Sequence, residues 1–292
     1  DGTVTGVQTC ALPIFLPTLA QARDLGLTSL VVTNGALLTP RLIREFREVQ
    51  VQSLIISLDA ASGEVHDRHR GLPGLSAHLR EMVPLVREAG LRPVASVTVS
   101  RLLGDLDELV RIVKDMGFVS LTFSYPLTSL HSSYLSCADN SLVEFRPEEL
   151  DRWFARLLEL KERCRFPILN PRLSLVDVRR QLQGRPARFP CLAGFKYFFA
   201  DWHLRVYRCH FLPDELGPLE KIDAVAPIRD GCTACSIDCY RDPSVYQFIA
   251  VSMADALNAW RRGELGRGLK HLAEPRNFLS LAALLEGRHW VS

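Results

Sequence analysis

The 292 residues carry 47% hydrophobic and 23% charged side chains, and 35 basic against 33 acidic groups leave a formal charge of +2. So even a mixture argues against nucleic acid or an anionic membrane surface as partner. No apolar run reaches the roughly 18 residues of a membrane span, and eight cysteines are too sparse for a disulfide scaffold; their clustering points to metal in a reducing compartment, the cytoplasm by default.

Asp1 to Ile14, DGTVTGVQTCALPI, shows no periodicity and resembles a peptide translated from sequencing-adapter reads in metagenomic assemblies. It is expected to be non-native and outside the fold, Cys10 included. From Phe15 the pattern turns regular: Leu16, Leu19, Ala20 and Leu25 lie at helical spacing, Gly26 closes the helix, and SLVVTNG follows as a strand expected to be buried on both faces. The unit repeats. A helix over Pro40–Val49 feeds SLIISLDA, one over Leu75–Ala89 feeds PVASVTVS after Gly90, and one over Asp105–Met116 feeds VSLTFSYP after Gly117. Alternation of this kind predicts an α/β fold with a parallel sheet or barrel.

In such folds chemistry sits on loops at the carboxyl ends of the strands. Those ends carry Thr33, Asn34 and Gly35, then Ser57, Leu58 and Asp59, then Ser100 and Arg101, then Ser124 and Tyr125. Each set also reads as ordinary turn chemistry. The run SGEVHDRHRGLPG brings His66, Asp67, His69 and Arg70 together; its histidines read as solvated loop residues, and Arg70 could clamp a carboxylate or phosphate bidentately. Residues 127–190 look connective, apart from a helix over Pro147–Arg163 with Leu150, Trp153, Phe154, Leu157 and Leu158 on one face. Cys137 and Cys164 stand alone and read as unligated. The end of the chain reads as helices with Met253, Ala256, Leu257 and Trp260 in register.

GCTACSIDCYRD places Cys232, Cys235 and Cys239 within eight residues, with Cys191 and Cys209 upstream. Iron–sulfur clusters take four thiolates at varied spacing, and five candidates suit that. A zinc ribbon asks for two CxxC pairs and fits loosely. Buried apolar thiols are the third reading.

LVVTNGALL and IISLDAASGEVHDRHRGLPG resemble the central strands of radical S-adenosylmethionine enzymes, and CLAGFKYFFADWHLRVYRC with CTACSIDCYRD is similar to the auxiliary-cluster domains, SPASM or the shorter Twitch, that many of them carry. The likeness covers roughly Phe15 to Tyr246. It implies a partial TIM-like (β/α)6 barrel lacking its first βα elements, over residues 15–140. A connecting helical region (141–190), a small cysteine-rich cluster domain (191–245) and a C-terminal helical tail (246–292) would follow.

Residue by residue, the resemblance implies that Ser57 contacts S-adenosylmethionine, that Thr33, Asn34, Asp59 and Arg70 line the cofactor and substrate cavity, and that Cys191, Cys209, Cys232, Cys235 and Cys239 supply the ligands of one auxiliary [4Fe–4S] cluster. Asp201 sits where the family has an acidic turn residue, and Leu204 stands where glycine is usual. The family cleaves the cofactor reductively to a 5′-deoxyadenosyl radical that abstracts hydrogen from substrate, with flavodoxin or ferredoxin as electron donor. A small-molecule, lipid or peptide substrate is open, and the cysteine run is also similar to that of hopanoid-modifying members. The family's CxxxCxxC loop, which holds its radical-generating cluster, occurs nowhere in the 292 residues, nor does a GGEP-like segment; a truncated reading frame is the expected cause. Two other classes stay open, a cluster-binding electron-transfer or scaffold protein and a zinc-stabilised βα protein.

Overall fold

The computed structural model describes residues 5–126, 141–201 and 203–287, with side chains from residue 14 onward. Two compact units divide it: one runs to Phe123 and takes back Arg165–Ile168, and the other holds Ser124–Cys164 and Leu169 onward. Among the described residues no helix is long and apolar enough to cross a membrane.

The first unit is a chain of βα repeats: α1 (Thr5–Asp24), β1 (Ser29–Thr33), α2 (Pro40–Glu48), β2 (Val51–Ser57), α3 (Gly63–Arg70), α4 (Leu75–Glu88), β3 (Arg92–Thr98), α5 (Leu106–Asp115) and β4 (Ser120–Ser124). The strands lie in the order β1-β2-β3-β4, with Val31 opposite Leu54 and Ile55 opposite Val94 in parallel pairs. The α/β class with parallel strands is therefore as expected. Local chemistry sets the boundaries. Thr39 Oγ1 accepts from Leu42 N ahead of Pro40 at the start of α2, and Asp105 Oδ1 accepts from the N–H groups of Asp107 and Glu108 at the start of α5. Leu79, Val83 and Val86 of α4 are fully buried. Gly35, at φ 80°, is needed twice over, because a Cβ there would lie 2.4 Å from Leu79 Cδ2.

Three expectations are corrected in this unit. The first helix reaches back to Thr5 instead of starting at Phe15, as propagating a formed helix costs little per residue. SGEVHDRHR is a helix, α3, rather than a loop: Ser62 Oγ accepts from Val65 N, and Gly71 stops it at φ 65°. β1 is covered on one face only, with Val31 buried while Leu30 and Val32 are 49% and 69% exposed. It is the edge strand of this sheet, and among the described residues no further strand pairs with its outer side.

The second unit begins with α6 (Pro147–Arg163), whose Leu150, Phe154, Leu157 and Leu160 are buried, followed by α7 (Arg172–Leu182), a helix that the polar spacing had not disclosed. A small antiparallel sheet joins β5 (Phe199–Ala200), β6 (Arg205–Tyr207) and β7 (Glu215–Pro218), and a 3-10 helix spans Leu219–Ala224. Then come α8 (Asp238–Arg261), α9 (Leu265–Leu272) and α10 (Arg276–Glu286). Phe189, Val245, Phe248 and Ala283 form one core here, Phe189 meeting Phe248 edge-on at 5.3 Å. The helical reading of the tail holds; of the residues in register there Met253 and Leu257 are exposed and Ala256 is buried, as is Ala259. Cys137 lies outside the described residues.

The β5–β6 turn shows what Leu204 costs. Asp201 Oδ1 accepts from the N–H groups of His203 and Arg205, and Leu204 N donates to Asp201 O at 3.0 Å with Leu204 at φ 56°. The tight turn is kept with a branched side chain in left-handed backbone, strained by about 1 kcal/mol. Leu204 is 56% exposed and buries little. Leu204→Gly is expected to stabilise the chain by roughly 0.5 kcal/mol after the entropic penalty of glycine, read as a higher urea midpoint; an unchanged or lower midpoint would show the turn to be unstrained.

Candidate functional site

Two groups of functional side chains emerge, one in each unit. In the first, Thr33 Oγ1 accepts from Gly35 N and Asn34 Oδ1 from Ala36 N, both at 3.0 Å. Both side chains are thus committed to turning the chain after β1. Ser57 ends β2, half-buried and in register with Ser96 of β3.

Asp59, two residues on, is buried and gripped by Arg70 from the last turn of α3, with Nε to Oδ2 at 2.6 Å and Nη2 to Oδ1 at 2.7 Å. Asp59 N donates to Nδ1 of the fully buried His66 at 3.2 Å, and His69 Nε2 stands 3.9 Å from Asp59 Oδ2. His66 is therefore no solvated loop residue; it braces the β2 end against α3. Its Nε2 is buried without a partner among the described residues. The bidentate clamp foreseen for Arg70 is real, and its carboxylate belongs to this chain. Burial alone would raise the Asp59 carboxyl, but His66 and Arg70 outweigh it and hold the group below its ordinary 3.8. A depressed carboxyl stabilises above the unfolded value and loses that contribution as pH falls through the folded one. Arg70→Ala, which strands the buried carboxylate, is expected to cost about 2 kcal/mol at pH 7, discounted because the guanidinium is partly exposed. The loss should shrink towards pH 3 in denaturant titrations; a loss independent of pH would rule out the ion pair as its source.

In the second unit four cysteines gather from three stretches. Cys191 N donates to Cys232 O at 3.0 Å, tying the two backbones together, and Cys209 is buried in a cluster with Ala193, Phe211, Ile237 and Tyr240, against which Cys191 and Cys235 pack. Ala193 N points at Cys191 Sγ at 3.5 Å. Buried cations lie behind them: Arg208 holds Asp230 through two bonds of 2.7 and 2.6 Å, Asp230 in turn accepts from Cys232 N, and Arg241 Nη1 donates to Cys232 O. Burial pushes the Cys191 thiol up and Cys235 to about 11, so loading the site with metal at neutral pH must release protons. Cys239 is set apart. It opens α8 exposed, its Sγ 3.9 Å from Asp238 Oδ2.

This arrangement bears on which metal centre fits. Among the described residues no three His, Cys, Asp or Glu side chains converge as donors to a single ion, whereas tetrahedral zinc needs every sulfur at about 2.3 Å. A cluster would instead spread its thiolates around several irons. Two buried donors are also left over, Tyr197 Oη and Arg208 Nε, without partners among the described residues. Tyr197 belongs to the cysteine cluster, and Arg208 precedes Cys209. Orphaned donors beside thiols are what sulfides with free lone pairs would satisfy.

Spacing in the sequence gave no sign of a third feature. Asp238 and Asp242 stand one turn apart on α8. Tyr125 N donates to Asp238 Oδ1 at 3.0 Å, Tyr125 Oη lies 3.3 Å from both Asp242 oxygens, and Asn170 Nδ2 donates to Asp242 Oδ2 at 2.9 Å. Burial, then the charge of Asp238, pushes the Asp242 carboxyl up to about 8. Both effects favour the protonated acid over the carboxylate.

No family model matches the chain. It is 28% identical over 213 residues to the AdoMet-dependent heme synthase of Methanosarcina barkeri, covering 68% of this chain and 59% of that protein. It is 35% identical over 212 residues to the AdoMet-dependent heme synthase of Oleidesulfovibrio alaskensis, covering 67% and 53%. The chain thus spans little more than half the length of these curated relatives. Among solved structures, Streptococcus suis SuiB bound to S-adenosylmethionine superposes with a TM-score of 0.50 at 10% identity, over 71% of this chain and 49% of that one, a likeness of fold.

Proposed function

We propose that this chain, which belongs to the radical S-adenosylmethionine enzymes, forms the barrel wall and auxiliary-cluster part of a longer enzyme that acts on a small organic substrate. The observation carrying this reading is the packing of Cys191, Cys209 and Cys235 in one cluster with Tyr197, whose hydroxyl is buried without a partner among the described residues, and the backbone bond that ties Cys232 to Cys191. These four cysteines are the ligands we assign to one auxiliary [4Fe–4S] cluster. When bound, S-adenosylmethionine supplies a carbon radical on one-electron reduction, chemistry that belongs to the cofactor.

The chain's own residues bind and orient. Ser57 ends β2 where the cofactor is expected, Thr33 and Asn34 shape the neighbouring turn, and Asp59, locked by Arg70 and His66, gives that rim a fixed carboxylate. Preorganisation of this sort holds a reactant in place without reorganisation at the moment of reaction. The outer edge of β1, with which no further strand pairs among the described residues, supports the view that further barrel strands pair there in the longer enzyme. The names of the curated relatives make a tetrapyrrole the substrate to test first, ahead of a peptide or lipid.

Anaerobic reconstitution with iron and sulfide tests the reading. The chain should bind about four irons with acid-labile sulfide and show a brown chromophore. It should form no 5′-deoxyadenosine from S-adenosylmethionine, because the 292 residues hold no CxxxCxxC. Zinc without sulfide, or measurable 5′-deoxyadenosine, would overturn it.

A further inference from the structure

A cleft of about 460 Å³ opens in the second unit, between the segment around Cys191 and helices α8 and α9. No step proposed above uses it. Its apolar lining comes from Leu192, Phe195, Ile228, Phe248 and Val251, and its volume falls among sites for small organic ligands.

The polar part of its lining is cationic. Arg229, Arg267, Lys270 and Arg276 line it against the carboxylates of Asp255 and Glu274, with His271 beside them. Both acids are already engaged: Asp255 accepts two bonds from Arg229, at 3.0 and 2.5 Å, and Glu274 accepts one from Arg276 at 2.8 Å. Those two arginines also lie over the aromatic lining, Arg229 at 4.4 Å from the Phe195 ring centre, which Lys196 Nζ approaches as well at 4.6 Å, and Arg276 at 4.8 Å from that of Phe248. Paired and stacked, they cost little further side-chain entropy when a ligand arrives. Arg267 is answered by Glu264 at 3.0 Å. Lys270 has no carboxylate partner among the described residues and stands exposed on α9. That helix is a firm support. Gly268 sits against the Trp260 indole, where a Cβ would fall 2.2 Å from Nε1.

An exposed ammonium lining a cleft with apolar walls selects both charge and shape. A metal cation is repelled, and a neutral hydrocarbon leaves the rim unused. We propose that this cleft binds an amphipathic organic anion, an acid group on a flat apolar body, with Lys270 meeting the acid and Phe195 and Phe248 flanking the body. Cys191 forms part of the cleft wall.

The test uses the whole chain and two fluorescent probes of the same ring skeleton, anionic 8-anilinonaphthalene-1-sulfonate and neutral N-phenyl-1-naphthylamine. The sulfonate should bind saturably at one site and about fivefold more tightly than the neutral probe. Lys270→Glu should weaken the sulfonate about fivefold and leave the neutral probe unchanged, while Lys270→Arg restores binding. Lys270 is exposed, so neither variant threatens the fold, and Val251→Trp, which fills the cleft, should remove both probes. Equal affinity for the two probes, sulfonate binding indifferent to Lys270→Glu, or binding that survives Val251→Trp would overturn the proposal.

Discussion

Alanine at Cys191, Cys209, Cys232 or Cys235 will each abolish the chromophore and the acid-labile sulfide of the reconstituted chain, whereas Cys239→Ala will keep both. The expectation rests on how the five thiols are divided. Cys191, Cys209 and Cys235 meet in the cluster of Ala193, Phe211, Ile237 and Tyr240, and Cys232 is tied to it through the backbone bond from Cys191 N to Cys232 O. Cys239 lies in the first turn of α8, facing Asp238. A thiolate next to a carboxylate is disfavoured electrostatically, while the other four have Arg208 and Arg241 close behind Cys232 to offset gathered negative charge. Iron and sulfide content of the five single variants, with far-ultraviolet circular dichroism to confirm folding, decides it. Loss of the chromophore in Cys239→Ala, with retention in any of the other four, would refute the assignment.

Asp242→Asn is expected to stabilise the chain at pH 8 by about 2 kcal/mol and to leave it nearly unchanged at pH 4. The Asp242 carboxyl is raised to about 8 by burial first and by Asp238 second. Between its ordinary 3.8 and that value the unfolded chain has given up a proton that the native chain retains, so native stability falls as pH rises through the window. For an isolated group the slope is about 1.4 kcal/mol per pH unit; coupling to Asp238 spreads and reduces it. Asparagine keeps the shape and an acceptor for Asn170 while removing the proton to be lost. Urea midpoints at pH 4, 6 and 8 provide the check. Equal destabilisation at all three would show that an ionised carboxylate is required there.

Periodicity and punctuation made the repeating βα order legible, because Thr39, Asp105, Gly90 and Gly117 act locally and their chemistry is the same wherever the chain goes. Burial of β1 was not legible. Whether Leu30 and Val32 face a core depends on which strand lies next to them, and a run of apolar residues does not carry that information. α3 was missed because its histidines and arginines read as polar loop, although Ser62, Glu64 and Gly71 were the signals of a capped helix. For the cysteines, spacing made Cys232 and Cys235 plain, whereas the place of Cys239 in the first turn of α8, beside Asp238, was not legible from it. The Tyr125–Asn170–Asp242 constellation joins residues up to 117 positions apart, and no local pattern marks it. A turn at Asp201 was implied by the family resemblance; that Leu204 would hold it in left-handed backbone, where glycine is usual, was not legible.

The bare margin of β1 governs how this polypeptide behaves on the bench. Its amide and carbonyl groups, which pair with no further strand among the described residues, are expected to recruit a compatible strand, and in a concentrated preparation the expected source is another copy of the chain. Light scattering should therefore rise with protein concentration, and a lysine in place of Val32 should keep the material monodisperse.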